Sequence, residues 1–129
     1  MDLVYVVIAL ALLQFMVFGG LVGRARVKYG VTAPAVMGHP VFERYHRVHY
    51  NTMEQLVIFI PGMLLFGLYV NSWGATGLGL VFILGRIVYF RAYIADPAKR
   101  GPGFGLTMLP TSILLLGGLG GAIWSAITG

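Results

Sequence analysis

The sequence predicts an all-α protein, an integral-membrane bundle of four helices running up, down, up and down. Three observations carry that reading. Hydrophobic residues make up 58% of the 129 residues and charged residues only 10%, against about 25% in a soluble domain, so a bilayer must solvate much of the surface. Four apolar runs alternate with short connections rich in proline, glycine or charge. All nine Lys and Arg residues fall in the first connection, the third connection or the helix portions leading to them, Arg86 being the deepest. By the positive-inside rule those two connections face the cytoplasm and both termini face the other side. The formal charge of +5 then reports topology and is no nucleic-acid signature. With no cysteine, the chain has no disulfide framework, thiolate metal site or thiol nucleophile of its own. We read one membrane domain over residues 1–129, with helices at about 3–26, 41–70, 74–95 and 104–128.

The first span, Leu3 to Val22, is broken only by Gln14 and meets the roughly 20 apolar residues needed for a crossing. Its only early charge is Asp2, and Arg24, Arg26 and Lys28 come after it. A cleaved signal has the opposite order and a shorter apolar core, so this run reads as an anchor. Residues 30 to 41, GVTAPAVMGHPV, form a loop.

The second span is short of apolar residues. Leu56 to Val70 gives only fifteen, so the crossing must reach back through Asn51 and Glu54. Pro61 inside it predicts a kink, with neighbouring helices satisfying the freed carbonyl. Asn71 to Gly74 makes a short turn with an interfacial tryptophan, Trp73. The third span has the same shortage and must include Arg86. Counted from the shared turn, Glu54 lies about 24 Å down one helix and Arg86 about 18 Å down the next, which predicts an ion pair between them. After the loop Asp96 to Gly103, the last span runs uncharged from Phe104 to Ile127, and its Gly117, Gly118, Gly120 and Gly121 suit close helix packing.

The chemistry concentrates between Phe42 and Gln55, FERYHRVHYNTMEQ. On a helix, Arg44, Arg47, Asn51 and Glu54 share one face and His49 points to the other side. Polar groups at membrane depth are expensive and need a reason. Guanidiniums suit carboxylates, and a carboxylate suits an ammonium group, so the stripe fits a small anionic ligand; ordinary interfacial anchoring is the competing reading, chiefly for Arg44. Arg86, Tyr89 and Tyr93 share a face of the third helix. A phenol there can donate to a thiolate and an arginine can stabilise one, while an aromatic belt is the structural alternative. His39, His46 and His49 have no third ligand within reach, so no metal site is expected. Composition and spacing alone do not identify the ligand.

The run FERYHRVHYNTMEQ, followed by GRIVYFRAY and KRGPGF, resembles the MAPEG family, the membrane-associated proteins in eicosanoid and glutathione metabolism. The resemblance implies a homotrimer that binds glutathione between adjacent subunits on the cytoplasmic side. It implies that Arg47, Asn51 and Glu54 hold the peptide and its charged ends. Tyr89 and Tyr93 would line the site from the neighbouring subunit, Arg100 would stabilise the thiolate, and Arg26 and His49 would also meet the ligand. Val27 and Gln55 stand where the leukotriene-forming member has arginine and tyrosine, and these departures argue for a general transferase or peroxidase. The implied activity is conjugation of glutathione to hydrophobic electrophiles, with reduction of lipid hydroperoxides as a second reaction. The implied partners are lipids and an apolar second substrate, with no nucleic acid, in a bacterial inner membrane or the endoplasmic reticulum. Two alternatives stay open: a non-catalytic lipid-presenting protein of the same fold, and a small transporter using Glu54 as a proton-coupled carboxylate.

Overall fold

The computed structural model describes residues 1–129 and is all-helical: α1 (Asp2–Tyr29), α2 (Pro40–Tyr69), α3 (Ser72–Ala95) and α4 (Gly101–Thr128), with a 3-10 turn at Pro97–Lys99 before α4. All four helices are long and apolar enough to cross a membrane. At 1.5 Å per residue a 28-residue helix is about 42 Å long, more than the roughly 30 Å hydrocarbon core. Each helix therefore carries its polar end beyond the acyl region. Only 26 of the 129 residues are buried, and most large apolar side chains lie on the outside, as lipid solvation of a bundle one layer deep requires.

Local sequence sets the ends. Gly30 closes α1 in the left-handed region, at φ 70°. His39 caps α2, its Nδ1 accepting from the Val41 amide at 3.2 Å, with Pro40 in the first turn. Asn71 caps α3 by accepting from the Gly74 amide at 3.0 Å, and Asp96 caps the 3-10 turn from the Ala98 amide at 3.0 Å.

The core is built from Val4, Val7 and Ala11 of α1, Leu56, Phe59 and Met63 of α2, Ala75 and Phe82 of α3, and Leu114 of α4. Phe59 and Phe82 stack with ring centroids 3.8 Å apart. Gln14 donates to the Ile83 carbonyl at 3.0 Å, which ties α1 to α3 at the one polar break in the first span. Helix α2 continues through Pro61, where the close packing of Gly62 on Leu114 braces it against α4. Gly117, Gly118 and Gly121 lie against Phe66, Leu65 and Tyr69 of α2, as small residues at a helix contact do. Gly120 faces open space instead.

Two other glycines fix the packing of α3 on α4 toward the basic end of the bundle. A Cβ on Gly103 would stand 2.4 Å from the Tyr89 backbone, and one on Gly85 would stand 2.8 Å from the Leu106 backbone. Helices α3 and α4 thus touch backbone to backbone. That contact brings Arg100 and Phe104, at the start of α4, beside the face of α3 that carries Arg86 and Tyr89.

Candidate functional site

At the basic end, α2, α3 and α4 enclose a cavity of about 270 Å³ lined by Asn51, Glu54 and Gln55 of α2, Arg86 and Tyr89 of α3, and Arg100 and Phe104 around the start of α4. Three of these side chains carry complementary charge, one carboxylate and two guanidiniums, with two neutral amides and a phenol beside them. Gln55 Oε1 is buried with no hydrogen-bond partner in the chain.

Arg86 organises the inner wall. It is 1% exposed, and its Nε and Nη2 donate to Thr52 Oγ1 at 3.2 and 2.7 Å while Nη1 donates to Thr107 Oγ1 at 3.4 Å. The two hydroxyls use their own protons on the Val48 and Gly103 carbonyls, one helical turn back, so each presents only lone pairs to the arginine. The guanidinium carbon lies 4.2 Å from the Tyr89 ring centre, inside cation–π range. Asn51 Nδ2 donates to the Tyr89 hydroxyl at 2.8 Å. With one lone pair engaged, the phenol keeps its proton for another acceptor.

The MAPEG family profile matches residues 3–120. The chain belongs to the MAPEG family. It is 48% identical over 100 residues to microsomal glutathione S-transferase 2 of Homo sapiens, covering 77% of this chain and 68% of the relative. It is 47% identical over 116 residues to an uncharacterized protein of Synechocystis sp., covering 90% and 85%. Leukotriene C4 synthase of Bos taurus is 30% identical over 76 residues, covering 59% and 51%. Together with four membrane-length helices, the family makes this an integral membrane protein.

The structure of this MAPEG chain brings together Asn51, Glu54, Arg86, Tyr89 and Arg100 of the residues singled out in the sequence. It corrects one expectation. Arg86 and Glu54 share the cavity but form no ion pair: Arg86 bonds to Thr52 and Thr107. Depth along the helix is similar for Thr52 and Glu54, but two residues rotate a helix by about 200°; Thr52 faces α3 and Glu54 is exposed on the open side. Within the chain, Tyr89 is hydrogen-bonded to Asn51. For Arg44 the structure favours the anchoring reading: its Nη1 donates to the Ile94 and Ala95 carbonyls at 2.9 and 3.3 Å and closes the end of α3.

The remaining residues lie outside this cavity. Tyr93 stacks on Tyr89 at 5.5 Å and packs with Phe18 and Val48. Arg47 is exposed one turn from Asn51. His49, on the opposite side of α2, stacks on Phe15 of α1 at 4.4 Å. Arg26 donates to the Ala35 carbonyl at 2.6 Å and sits over the Phe42 ring at 4.9 Å. Sequence reasoning passed over Thr52 and Thr107. The available signal was periodicity: Val48, Thr52, Leu56 and Phe59 form the buried stripe of α2, and a threonine in that stripe faces a partner helix.

Proposed function

We propose that this protein is a membrane glutathione transferase, acting on hydrophobic electrophiles and reducing lipid hydroperoxides, in a homotrimer whose adjacent subunits complete each site. The observation that supports it is the cavity wall itself, with Asn51, Glu54, Arg86, Tyr89 and Arg100 around one space of about 270 Å³. Its size is near the lower end of small-molecule sites, about 300 Å³. Glutathione offers two carboxylates, an ammonium group and a thiol. Glu54 suits the ammonium, the guanidiniums suit the carboxylates, and Gln55 Oε1 suits a peptide N–H. Arg47 is on the open face beside Asn51, whereas Arg26 and His49 lie across α2. One subunit's Arg26 and His49 therefore meet a ligand on the other's Asn51 face only across a seam between copies.

An unperturbed thiol has a pKa near 8.5, so only a few per cent is thiolate at neutral pH. Arg100 stabilises the anion by charge, and the Tyr89 hydroxyl, oriented by Asn51, donates its proton in a hydrogen bond to sulfur. With an aryl chloride the thiolate forms the new C–S bond, the C–Cl bond breaks, chloride leaves with the electron pair and the thiol proton passes to water. With a hydroperoxide, two glutathione molecules are oxidised to the disulfide while the O–O bond is reduced to alcohol and water. Apolar second substrates enter sideways from the bilayer.

The test is glutathione binding by thermal shift in detergent together with conjugation of a chlorinated nitrobenzene, in wild type and Arg100→Ala. The transferase reading expects ligand-dependent stabilisation and a fall of 10²-fold or more in turnover on losing a charge that acts on the reacting atom. Equal rates in the two proteins refute the role of Arg100. Binding without turnover supports the lipid-presenting reading, and uptake driven by a pH gradient supports the transporter.

A further inference from the structure

A second cavity lies on the other side of the basic end and shares no residue with the first. It holds about 100 Å³ and is lined by Leu21, Arg24, Ala25, Lys28 and Tyr29 of α1 and Tyr45 of α2. Its rim is cationic and its wall aromatic. Arg24 and Lys28, four residues apart, stack on one face of α1. Tyr45 meets Phe90 edge-on at 5.7 Å, and Phe90 stacks on Phe18 at 5.0 Å, which closes the wall with rigid rings.

Three features separate this cavity from a basic surface that merely sets topology. Of the seven arginines, Arg26, Arg44, Arg86 and Arg100 donate to acceptors within the chain, while Arg24, Arg47 and Arg91 do not, and of these three only Arg24 lines this cavity. Arg24 and Lys28 are exposed at the mouth with no such bond. The chain has four acidic residues, Asp2, Glu43, Glu54 and Asp96, and none lines this cavity. Below the cations, the same helix face continues as Leu21, Val17, Leu13 and Leu10, of which Val17, Leu13 and Leu10 are exposed by 60%, 54% and 44%. From Leu21 to Leu10 is about 17 Å at 1.5 Å per residue, and one leaflet of hydrocarbon is about 15 Å thick. Arg24, Lys28 lying over the Tyr29 ring at 5.4 Å, and the Tyr45 phenol, at the top of an apolar stripe one leaflet long, match a charged headgroup above its acyl chain.

We propose that this cavity binds the phosphodiester headgroup of an anionic phospholipid, with an acyl chain lying along Leu21, Val17, Leu13 and Leu10. Arg24 and Lys28 hold the phosphate oxygens by charge-assisted hydrogen bonds and the Tyr45 hydroxyl donates a third. A zwitterionic lipid brings its own cation into the same space and loses most of the advantage. The site is independent of the glutathione reading, since it shares no residue with that cavity.

The experiment measures retention of phosphatidylglycerol and of phosphatidylcholine with matched acyl chains by native mass spectrometry of the protein in neutral detergent. Glycerol 1-phosphate serves as the soluble probe in a parallel thermal shift. Wild type is expected to prefer phosphatidylglycerol by at least tenfold, and Arg24→Gln/Lys28→Gln to lose about thirtyfold in its retention, as two membrane-proximal cations predict. Leu21→Trp fills the cavity while leaving every charge in place and is expected to lose the preference as well. Arg91→Gln removes an exposed cation outside the cavity and is expected to change nothing. Should the doubly neutralised variant fail to fold, Leu21→Trp and Tyr45→Phe decide alone. Equal retention of the two lipids, an unchanged preference in Leu21→Trp, or equal stabilisation by glycerol 1-phosphate overturns the proposal.

Discussion

Replacing Thr52 by valine removes one oxygen and keeps the shape of the side chain, which makes it the sharpest probe of how Arg86 is held. Thr52 is fully buried and accepts from two guanidinium nitrogens, at 3.2 and 2.7 Å. A hydrogen bond to a charged group contributes about 1.5–3 kcal/mol to stability. The 2.7 Å bond carries most of that here, because the 3.2 Å one is at the long limit for N–H···O. Side-chain hydrogen bonds in membrane bundles run lower than in water-soluble proteins, since the unfolded chain in a bilayer also finds partners. The expected cost is therefore about 2 kcal/mol, or roughly thirtyfold in the unfolding equilibrium. Reversible unfolding by a denaturing detergent titrated into mixed micelles measures it. Thr52→Ser keeps the acceptor and is expected to lose well under half as much. In an Arg86→Met background Thr52→Val is expected to cost almost nothing, and the difference between the two backgrounds isolates the pair. Valine and serine variants of equal stability, or a cost that persists without Arg86, refute the hydrogen-bond account.

Arg86→Met is expected to leave stability within about 1 kcal/mol of wild type, because replacing a buried charge by an apolar side chain of similar length is often neutral or favourable. Thr52 and Thr107 keep their bonds to the Val48 and Gly103 carbonyls, so no orphan is left behind; glutathione affinity measured by calorimetry is expected to fall at least tenfold. Gly103→Ala is expected to cost about 3 kcal/mol, the upper end of overpacking, because its Cβ meets the Tyr89 backbone at 2.4 Å and not a movable side-chain tip; a lowered melting temperature with raised KM for glutathione checks it. Tyr89→Phe removes the acceptor for Asn51 together with the donor to sulfur that we propose, and single-turnover conjugation is expected to slow by about tenfold to a hundredfold while the melting temperature moves little.

Most of the fold was legible in the sequence. Four apolar runs, the charge deficit and the clustering of Arg and Lys define the helices and their alternation without any tertiary information. Polar residues shortening the second and third spans marked where a polar cavity lies, and five of the singled-out side chains line it. What failed was the pairing. Asking how deep Glu54 and Arg86 lie gave a single coordinate, and an ion pair needs a second, the angle about each helix. That angle is set by the apolar stripe Val48, Thr52, Leu56 and Phe59, which turns Thr52 toward α3 and Glu54 away from it.

The same geometry explains how a bundle this thin tolerates a buried arginine. An acid beside Arg86 would have neutralised it and left no charge for a ligand, whereas two threonines take three of its five N–H groups and leave the charge intact. A cation held by neutral acceptors keeps its field for whatever enters the cavity it faces. On this reasoning Thr52→Asp, which converts an acceptor into a counter-ion, is expected to hold Arg86 at least as firmly while weakening the binding of any anionic ligand. Calorimetry with glutathione measures the second effect, and an affinity equal to that of wild type would show that the uncancelled charge of Arg86 has no part in binding.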